Sequence, residues 1–192
     1  MPSVKVFQVG FNKCATRSLA QFFEDNGYAA AHYLGGRLAR NIRNSKAAGT
    51  LPLERWSDTV LFSDMELVTE DALIESYKDF AFLDQCFPDA HFILNTRRVE
   101  AWLLSRLRHE NGDYLKRYMA AYGDDNPLHA LQRWQEDWNV HHQAVRMHFA
   151  DCPDRFLEFD IDNDDPEKIV AHFRGTLDLD PEKWGHRGKT TG

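Results

Sequence analysis

The strongest constraint in this sequence is a short stretch near its start, where a strand pattern leads through a loop into a helix pattern. Residues 4–9 read VKVFQV, a β-branched and aromatic run that predicts a strand. Leu19, Phe22 and Phe23 recur at helical spacing, and Asn26-Gly27 predicts the end of that helix. The intervening loop reads GFNKCATRS. Because the first turn of a helix presents unpaired N–H groups and a positive dipole end, this stretch predicts an anion-binding loop.

The spacing inside the loop distinguishes between classes of phosphate site. A nucleoside triphosphatase loop requires the pattern G-x-x-x-x-G-K-[ST]. Counted from Gly10, the positions for Gly, Lys and Ser/Thr hold Ala15, Thr16 and Arg17, so this match fails. Taken alone, the loop leaves open a plain strand–turn–helix that binds nothing.

The pattern Gly10-x-x-Lys13-x-x-Thr16-x-Ser18-Leu19 resembles the 5′-phosphosulfate loop of sulfotransferases, G-x-x-K-x-G-T-[TR]-[ST]-L. Those enzymes transfer a sulfuryl group from 3′-phosphoadenosine 5′-phosphosulfate (PAPS) to an acceptor. The resemblance implies that the loop and helix start hold the 5′-phosphate, through Lys13, Cys14, Ala15, Thr16, Arg17 and Ser18. Ala15 stands where the family usually has glycine, so a backbone with positive φ at this position would be strained.

A second stretch strengthens the resemblance. Residues 91–98 read HFILNTRR, an apolar strand that ends in charge, and a helix pattern follows from Val99 to Arg108. Sulfotransferases use a strand–Arg–helix–Ser pattern for the 3′-phosphate, which implies this role for Arg97 and Ser105. An arginine at a strand end can bind phosphate with two N–H groups. The alternative is a surface arginine and a solvated serine.

The family resemblance also bears on the C-terminal tail. Members often close the nucleotide with a basic C-terminal loop, so Arg187 and Lys189 are further candidates for the 3′-phosphate. A disordered tail is the equal alternative.

Composition and charge limit the remaining classes. The 192 residues, 43% hydrophobic and 28% charged, predict one soluble domain spanning residues 1–192, with no membrane span and no signal peptide. The net charge of −7 argues against general nucleic-acid binding. Three sparse cysteines, without metal spacing, favour a cytoplasmic protein. Cys14 lies where a helix start would lower a thiol pKa, although a small loop filler is the simpler interpretation.

The rest of the chain alternates strand and helix patterns. Further strands are predicted at 28–33, 59–64 and 155–160, and a helix is predicted to begin at Thr69-Glu70-Asp71 and run towards Cys86. A long amphipathic helix carries Trp134 and Trp138, which are more typical of a core than of a pocket. The predicted fold is therefore α/β and three-layered, with a mainly parallel sheet of about five strands flanked by helices, as in sulfotransferases.

Three of the singled-out residues follow predicted strands. Lys13, Asp64 and Arg97 each come after a strand, and the carboxyl ends of parallel strands share one edge of a sheet. We therefore expect these residues to meet, independently of the family resemblance. Lys13 would neutralise charge that develops on the leaving phosphate.

Sulfuryl transfer also needs a general base for the acceptor. The family uses His or Glu at varied positions, so this role does not carry over by motif. Asp64 is the first candidate, His32 the second and Glu66 the third. A helix cap, or a partner for a loop arginine, is the competing interpretation of Asp64.

Other functions remain open at this point. A nucleotide-dependent kinase or triphosphatase would use the VLFSD strand, with a magnesium-binding Asp64, and a non-catalytic PAPS-binding module would have the loop but no base. The resemblance implies that no metal is needed. The adjacent residues His141 and His142 would point about 100° apart on a helix, which is poor geometry for binding one metal ion. The acceptor, a small molecule, glycan or peptide, would be bound by variable loops at 33–56 and 111–127.

Overall fold

The structure, a computed structural model, describes residues 4–185 of the chain. Its strands are β1 (Val6–Gln8), β2 (Ala30–His32), β3 (Leu61–Ser63), β4 (Glu66–Val68), β5 (Leu73–Glu75), β6 (His91–Thr96) and β7 (Phe156–Asp160). Its α-helices are α1 (Thr16–Asp25), α2 (Arg37–Ala48), α3 (Phe80–Cys86), α4 (Val99–Leu107), α5 (Asp113–Tyr122), α6 (Pro127–His148) and α7 (Glu167–His172). Arg187 and Lys189 lie outside the described residues.

The central sheet confirms the predicted α/β class. Five strands pair in the order β2-β3-β1-β6-β7, and every pair is parallel. At the centre, Phe7 of β1 lies beside Phe62 and Phe92 of the neighbouring strands, with ring centroids 5.4 and 5.5 Å apart. Because the strands are parallel, all their carboxyl ends reach one edge of the sheet.

Helices cover both faces of this sheet. Alternate strand residues pack into two different clusters: Phe7 and Phe92 face one side, whereas Val6 and Ile93 face the other. The first cluster is completed mainly by α2 to α6, and the second by α1 and α7. Burial on both faces explains why the strands are almost continuously apolar in sequence.

The predicted helix from Thr69 to Cys86 is wrong for its first half. In its place, β4 and β5 form an antiparallel hairpin, and the Thr69 N–H donates to the Ala72 carbonyl at 2.8 Å. A short 3₁₀ turn at Ser76–Asp79 then leads into α3. Hydroxyl and acidic residues favour tight turns as well as helix caps, so the local pattern did not distinguish them.

The long helix α6 is mostly a core element. Trp134 and Trp138 are buried, as their spacing favoured, and so are His141 and His142. His141 donates to the Val9 carbonyl and His142 bonds the Trp138 carbonyl, at 2.7 and 2.8 Å. Near the end of the described residues, Trp184 packs against Phe22 and Phe159.

The β4–β5 hairpin depends on one leucine, which provides a stability prediction. Leu67 is 3% exposed and packs against Ile74 and Ala39 of α2. Leu67→Ala should lower the free energy of unfolding by about 2–5 kcal/mol, because it leaves a cavity between hairpin and helix. Denaturant unfolding measures this. Leu128, 63% exposed, is the matched control, and Leu128→Ala should change stability by less than about 0.5 kcal/mol. Equal effects would contradict the hairpin's packing role.

Candidate donor-binding and transfer site

The loop between β1 and α1 has an unusual backbone. Lys13 and Ala15 both lie in the left-handed region, with φ of 63° and 59°. Ala15 occupies the N-cap position of α1 and provides no side-chain cap. The strain expected for a residue other than glycine is therefore present at Ala15. Two left-handed residues at alternate positions favour a loop whose successive N–H groups turn toward one side, as in an anion-binding concavity.

Arg97 lies against this loop. Its Nη1 donates to the Lys13 carbonyl at 3.2 Å, and its Nη2 pairs with Asp162 at 3.2 Å. The strand end after β6 is therefore bonded to the loop after β1. Arg97 is half-buried, and its Nε is buried without a hydrogen-bond partner among the described residues.

Ser105 is less directly placed. It is half-buried near the end of α4, and within residues 4–185 no hydrogen bond joins it to Arg97 or to the loop. The helix itself does fold back along the loop, since Trp102 of α4 donates to the Asn12 carbonyl at 3.1 Å. Arg97 and Ser105 could reach one ligand only if α4 takes such a path, because Ser105 lies about two turns into the helix.

The other loop residues divide into buried and exposed groups. Cys14, Thr16 and Ser18 are buried, whereas Arg17 is exposed. Burial raises the pKa of the Cys14 thiol far above its usual range, which fits a loop filler and not a reactive thiolate. In the part of the chain that the structure describes, the Lys13 ammonium forms no ion pair.

A carboxylate and an imidazole meet at the same edge. The His32 Nε2 lies 3.6 Å from an Asp64 carboxylate oxygen, and the His32 Nδ1 lies 3.1 Å from the Ser63 hydroxyl. Asp64 has φ of 53°, and its N–H donates to the Gln8 side chain of β1 at 3.2 Å. Lys13, Asp64, His32 and Arg97 therefore all follow or end strands at one edge.

The environment of this pair shifts both pKa values. Burial, together with the nearby Glu66 carboxylate, raises the pKa of Asp64 to about 7, although Lys13 and Arg106 oppose the rise. Burial and the charge of Arg17 lower the pKa of His32 to about 4. His32 is therefore neutral at pH 7, and Asp64 exchanges a proton near neutrality. Such a pKa suits a general base or acid at physiological pH.

Lys13 is tuned by the same surroundings. Burial lowers the pKa of its ammonium, the Asp64 charge opposes this, and Arg17 reinforces it. The shift shows that Lys13 and Asp64 are electrostatically coupled across the edge.

The third candidate base is placed elsewhere. Glu66 is buried and pairs with Arg106 at 3.1 Å, and its other oxygen accepts from Tyr114 and Asn12 at 2.6 and 2.8 Å. The ion pair and these hydrogen bonds favour a structural role for Glu66 over that of a base. Sequence reasoning also missed Arg106. Its spacing four residues after Trp102, on the same helix face, is the signal that could have found it.

A cavity opens at Tyr33, the residue that follows His32. It has a volume of about 430 Å³ and lies between the segment after β2, the β4–β5 turn and the start of α5. Its lining is formed by Tyr33, Val68, Thr69, Glu70, Asp71, Glu110 and Arg117. Burial, followed by the charges of Asp64 and Glu110, raises the pKa of Tyr33, the residue that directly follows His32. The predicted acceptor segments supply Tyr33 and Arg117, whereas the hairpin's share was not expected.

Comparison with known proteins identifies the family. The sulfotransferase domain model matches residues 5–111, which is more than half of the chain. The chain therefore belongs to the sulfotransferase domain family. No curated protein matches it. The matched segment contains the loop, His32, Asp64, Arg97 and Ser105. Among residues 4–185, no helix is long and apolar enough to cross a membrane, and no group of three or more side chains forms a metal site.

The raised pKa of Asp64 gives a prediction about stability and pH. Between its ordinary 3.8 and about 7, the folded protein retains a proton that the unfolded chain has lost. The free energy of unfolding contributed by Asp64 therefore falls as pH rises through this window. Asp64→Asn removes this pH dependence. Between pH 4 and pH 7 the free energy of unfolding of the variant should therefore rise by about 1–4 kcal/mol relative to that of wild type. Urea unfolding across this range measures the difference.

His32 provides the opposite control. Its pKa is lowered from 6.5 to about 4, so between these values the unfolded chain binds a proton that the folded protein does not. This contribution to stability is lost as pH falls. The free energy of unfolding of His32→Gln should therefore rise relative to that of wild type as pH falls toward 4. Differences that do not change with pH for either variant would contradict the assigned protonation states.

Proposed function

We propose that this protein is a PAPS-dependent sulfotransferase that transfers a sulfuryl group to a hydroxyl or amine of an acceptor. The observation that carries the proposal is the hydrogen bond from Arg97 to the Lys13 carbonyl, which joins the two donor motifs into one surface. The family match supports sulfuryl transfer in general. The free cysteines Cys14, Cys86 and Cys152 support residence in a reducing cytoplasm.

The donor site is assigned as follows. The loop N–H groups and the residues from Lys13 to Ser18, including Cys14 and Ala15 through their backbone, hold the 5′-phosphate. Arg97 and Ser105 hold the 3′-phosphate, and a bound phosphate would replace Asp162 as the partner of Arg97. We extend the domain over residues 1–192. The assignment of Arg187 and Lys189 to the 3′-phosphate stays a prediction.

The chemistry follows from the charges at the edge. The acceptor oxygen or nitrogen forms a bond to sulfur, while the bond from sulfur to the 5′-phosphate oxygen breaks. Negative charge then grows on the departing phosphate, and Lys13 with the loop N–H groups stabilises it. Asp64 takes the acceptor proton, and neutral His32 at 3.6 Å orients the carboxylate or takes the proton in its place. Positioning of the acceptor atom in line with the leaving oxygen supplies the rest of the rate enhancement, as in phosphoryl transfer.

The cavity that Tyr33 lines is the proposed acceptor site, because Tyr33 directly follows His32 in the chain. Glu110 lies near Arg117, but Glu70 and Asp71 are exposed on the hairpin side of the lining. A neutral or cationic small molecule, glycan or peptide should therefore be favoured over an acidic acceptor. A screen of acceptors should begin with amines and uncharged alcohols.

Ligand choice tests the donor assignment. Adenosine 3′,5′-bisphosphate (PAP) should stabilise the protein without added metal, by about 2.7 kcal/mol at a concentration 100 times its Kd. Adenosine 5′-phosphosulfate, which lacks the 3′-phosphate, should bind more weakly. Thermal unfolding and calorimetry measure both effects. Stabilisation by ATP with magnesium but not by PAP would instead support a kinase or triphosphatase.

Turnover tests the base. Asp64→Asn keeps the shape of the side chain but removes its basicity, so turnover of PAPS should fall by about 10²–10⁴-fold while PAP affinity stays within a few-fold. The same turnover measurement on His32→Gln tests the second candidate for the base. Asp58→Asn is the control, since Asp58 is exposed near the opposite end of β3. Unchanged turnover excludes a residue as the base. PAP binding without turnover for any acceptor or water would indicate a non-catalytic binding module.

A further inference from the structure

Six consecutive carbonyl groups in the loop each accept a hydrogen bond from a side chain. Four of the five donor residues lie on β1, β6, α4 and α6, and the fifth, Arg97, directly follows β6. The acceptor–donor pairs are Val9 with His141 (2.7 Å), Gly10 with Gln8 (2.9 Å), Phe11 with Asn95 (3.1 Å), Asn12 with Trp102 (3.1 Å), Lys13 with Arg97 (3.2 Å) and Cys14 with Asn95 (2.7 Å). The next carbonyl, of Ala15, accepts from the Leu19 N–H at 2.9 Å and begins α1. All carbonyls of the loop are therefore held by surrounding protein.

This arrangement fixes the opposite side of the loop as well. In a trans peptide the carbonyl and the following N–H point in opposite directions across one plane. Carbonyls held by β1, β6, α4 and α6 therefore turn the N–H groups that follow them away from those elements. The left-handed residues Lys13 and Ala15 gather these N–H groups into one concavity.

Asn95 is the centre of this set. It lies on β6, is 2% exposed, and donates to two of the six carbonyls through one amide nitrogen. Its amide oxygen accepts from Gln8, and this second bond fixes the orientation of the amide group. Gly10 permits the close approach, since a Cβ there would lie 2.2 Å from the Asn95 backbone oxygen.

We propose that Asn95 is a positioning residue for anion binding, which acts by holding the Phe11 and Cys14 carbonyls so that the loop N–H groups face the bound phosphate. Only the identification of that phosphate with PAPS rests on the proposed function. An apolar residue would fill the same strand position, but it would release both carbonyls and the Gln8 amide. The loop could then rotate its peptides and present oxygen atoms to the anion.

The test compares Asn95→Leu with Leu94→Ala, its neighbour on β6. Both replacements alter a buried side chain of the same strand and should lower the melting temperature, but Leu94 packs in the core and bonds no loop carbonyl. Calorimetry with PAP and with inorganic pyrophosphate, at a temperature where each variant is folded, measures anion affinity. Asn95→Leu should weaken both ligands by about 10–100-fold, the range seen when outer partners of a binding site are lost. Leu94→Ala should stay within about twofold of wild type.

Two further variants grade the effect. Asn95→Ser retains one hydroxyl donor and should lose less affinity than Asn95→Leu, which also covers the case in which the leucine variant does not fold. Trp102→Phe keeps an aromatic ring but releases only the Asn12 carbonyl, so its loss should be smaller than that of either Asn95 variant.

The outcomes separate this inference from the proposed function. Unchanged affinity in the Asn95 variants, or losses equal to that of Leu94→Ala, would overturn the positioning role. Wild-type binding of pyrophosphate without binding of PAP would reject PAPS as donor, yet the variants would still test Asn95. If the wild-type protein binds neither anion, the loop is no anion site and the inference fails.

Discussion

The site depends on a buried ion pair between Arg106 of α4 and Glu66 of β4, 3.1 Å apart and with side chains 1% and 5% exposed. The Arg106 guanidinium also donates to the Asn12 side chain, and aromatic rings of Phe11, Trp102, Tyr114, Tyr118 and Trp134 surround it. Desolvation of two charges makes such a pair weak evidence for net stability. Its effect is geometric: it connects α4, α5 and the hairpin to the residue that precedes Lys13. Loss of one partner would leave a buried charge directly beneath the loop.

The parts that the sequence predicted are those encoded locally. The periodicity of apolar residues predicted β1, α1, β6 and α4. Because the carboxyl ends of parallel strands share one edge, Lys13, Asp64 and Arg97 could then be predicted to meet there without use of the family resemblance. The departure at Ala15 was also visible, because a family glycine marks a backbone position that L residues rarely adopt. The structure shows the positive φ there. The catalytic roles of these residues stay predictions until turnover is measured.

The parts that were missed depend on contacts distant in sequence. Arg106 meets Asn12 across 94 residues, and Asn95 meets Phe11 across 84, so no local pattern reveals either bond. The buried pairing of Glu66 was not expected either, because a carboxylate near a strand end has the same sequence signal whether it is exposed or paired. The hairpin was read as a helix because Thr69 and its acidic neighbours suit both. His141 supports Val9 from α6, beyond the segment that the family model covers.

The bonds that β6 and the residue after it make to the loop hold the two parts of the site at a fixed distance. Asn95 of β6 bonds the Phe11 and Cys14 carbonyls of the loop, and Arg97, which directly follows β6, bonds the Lys13 carbonyl. On the proposed assignment, the spacing of the two phosphate subsites is then set where β6 ends, between Asn95 and Arg97. A nucleotide whose phosphates are spaced differently, such as one with a chain of three at the 5′ position and none at the 3′ position, cannot occupy both. The protein would thus select among cellular nucleotides by the distance between their phosphate groups, at the binding step and before any chemistry begins.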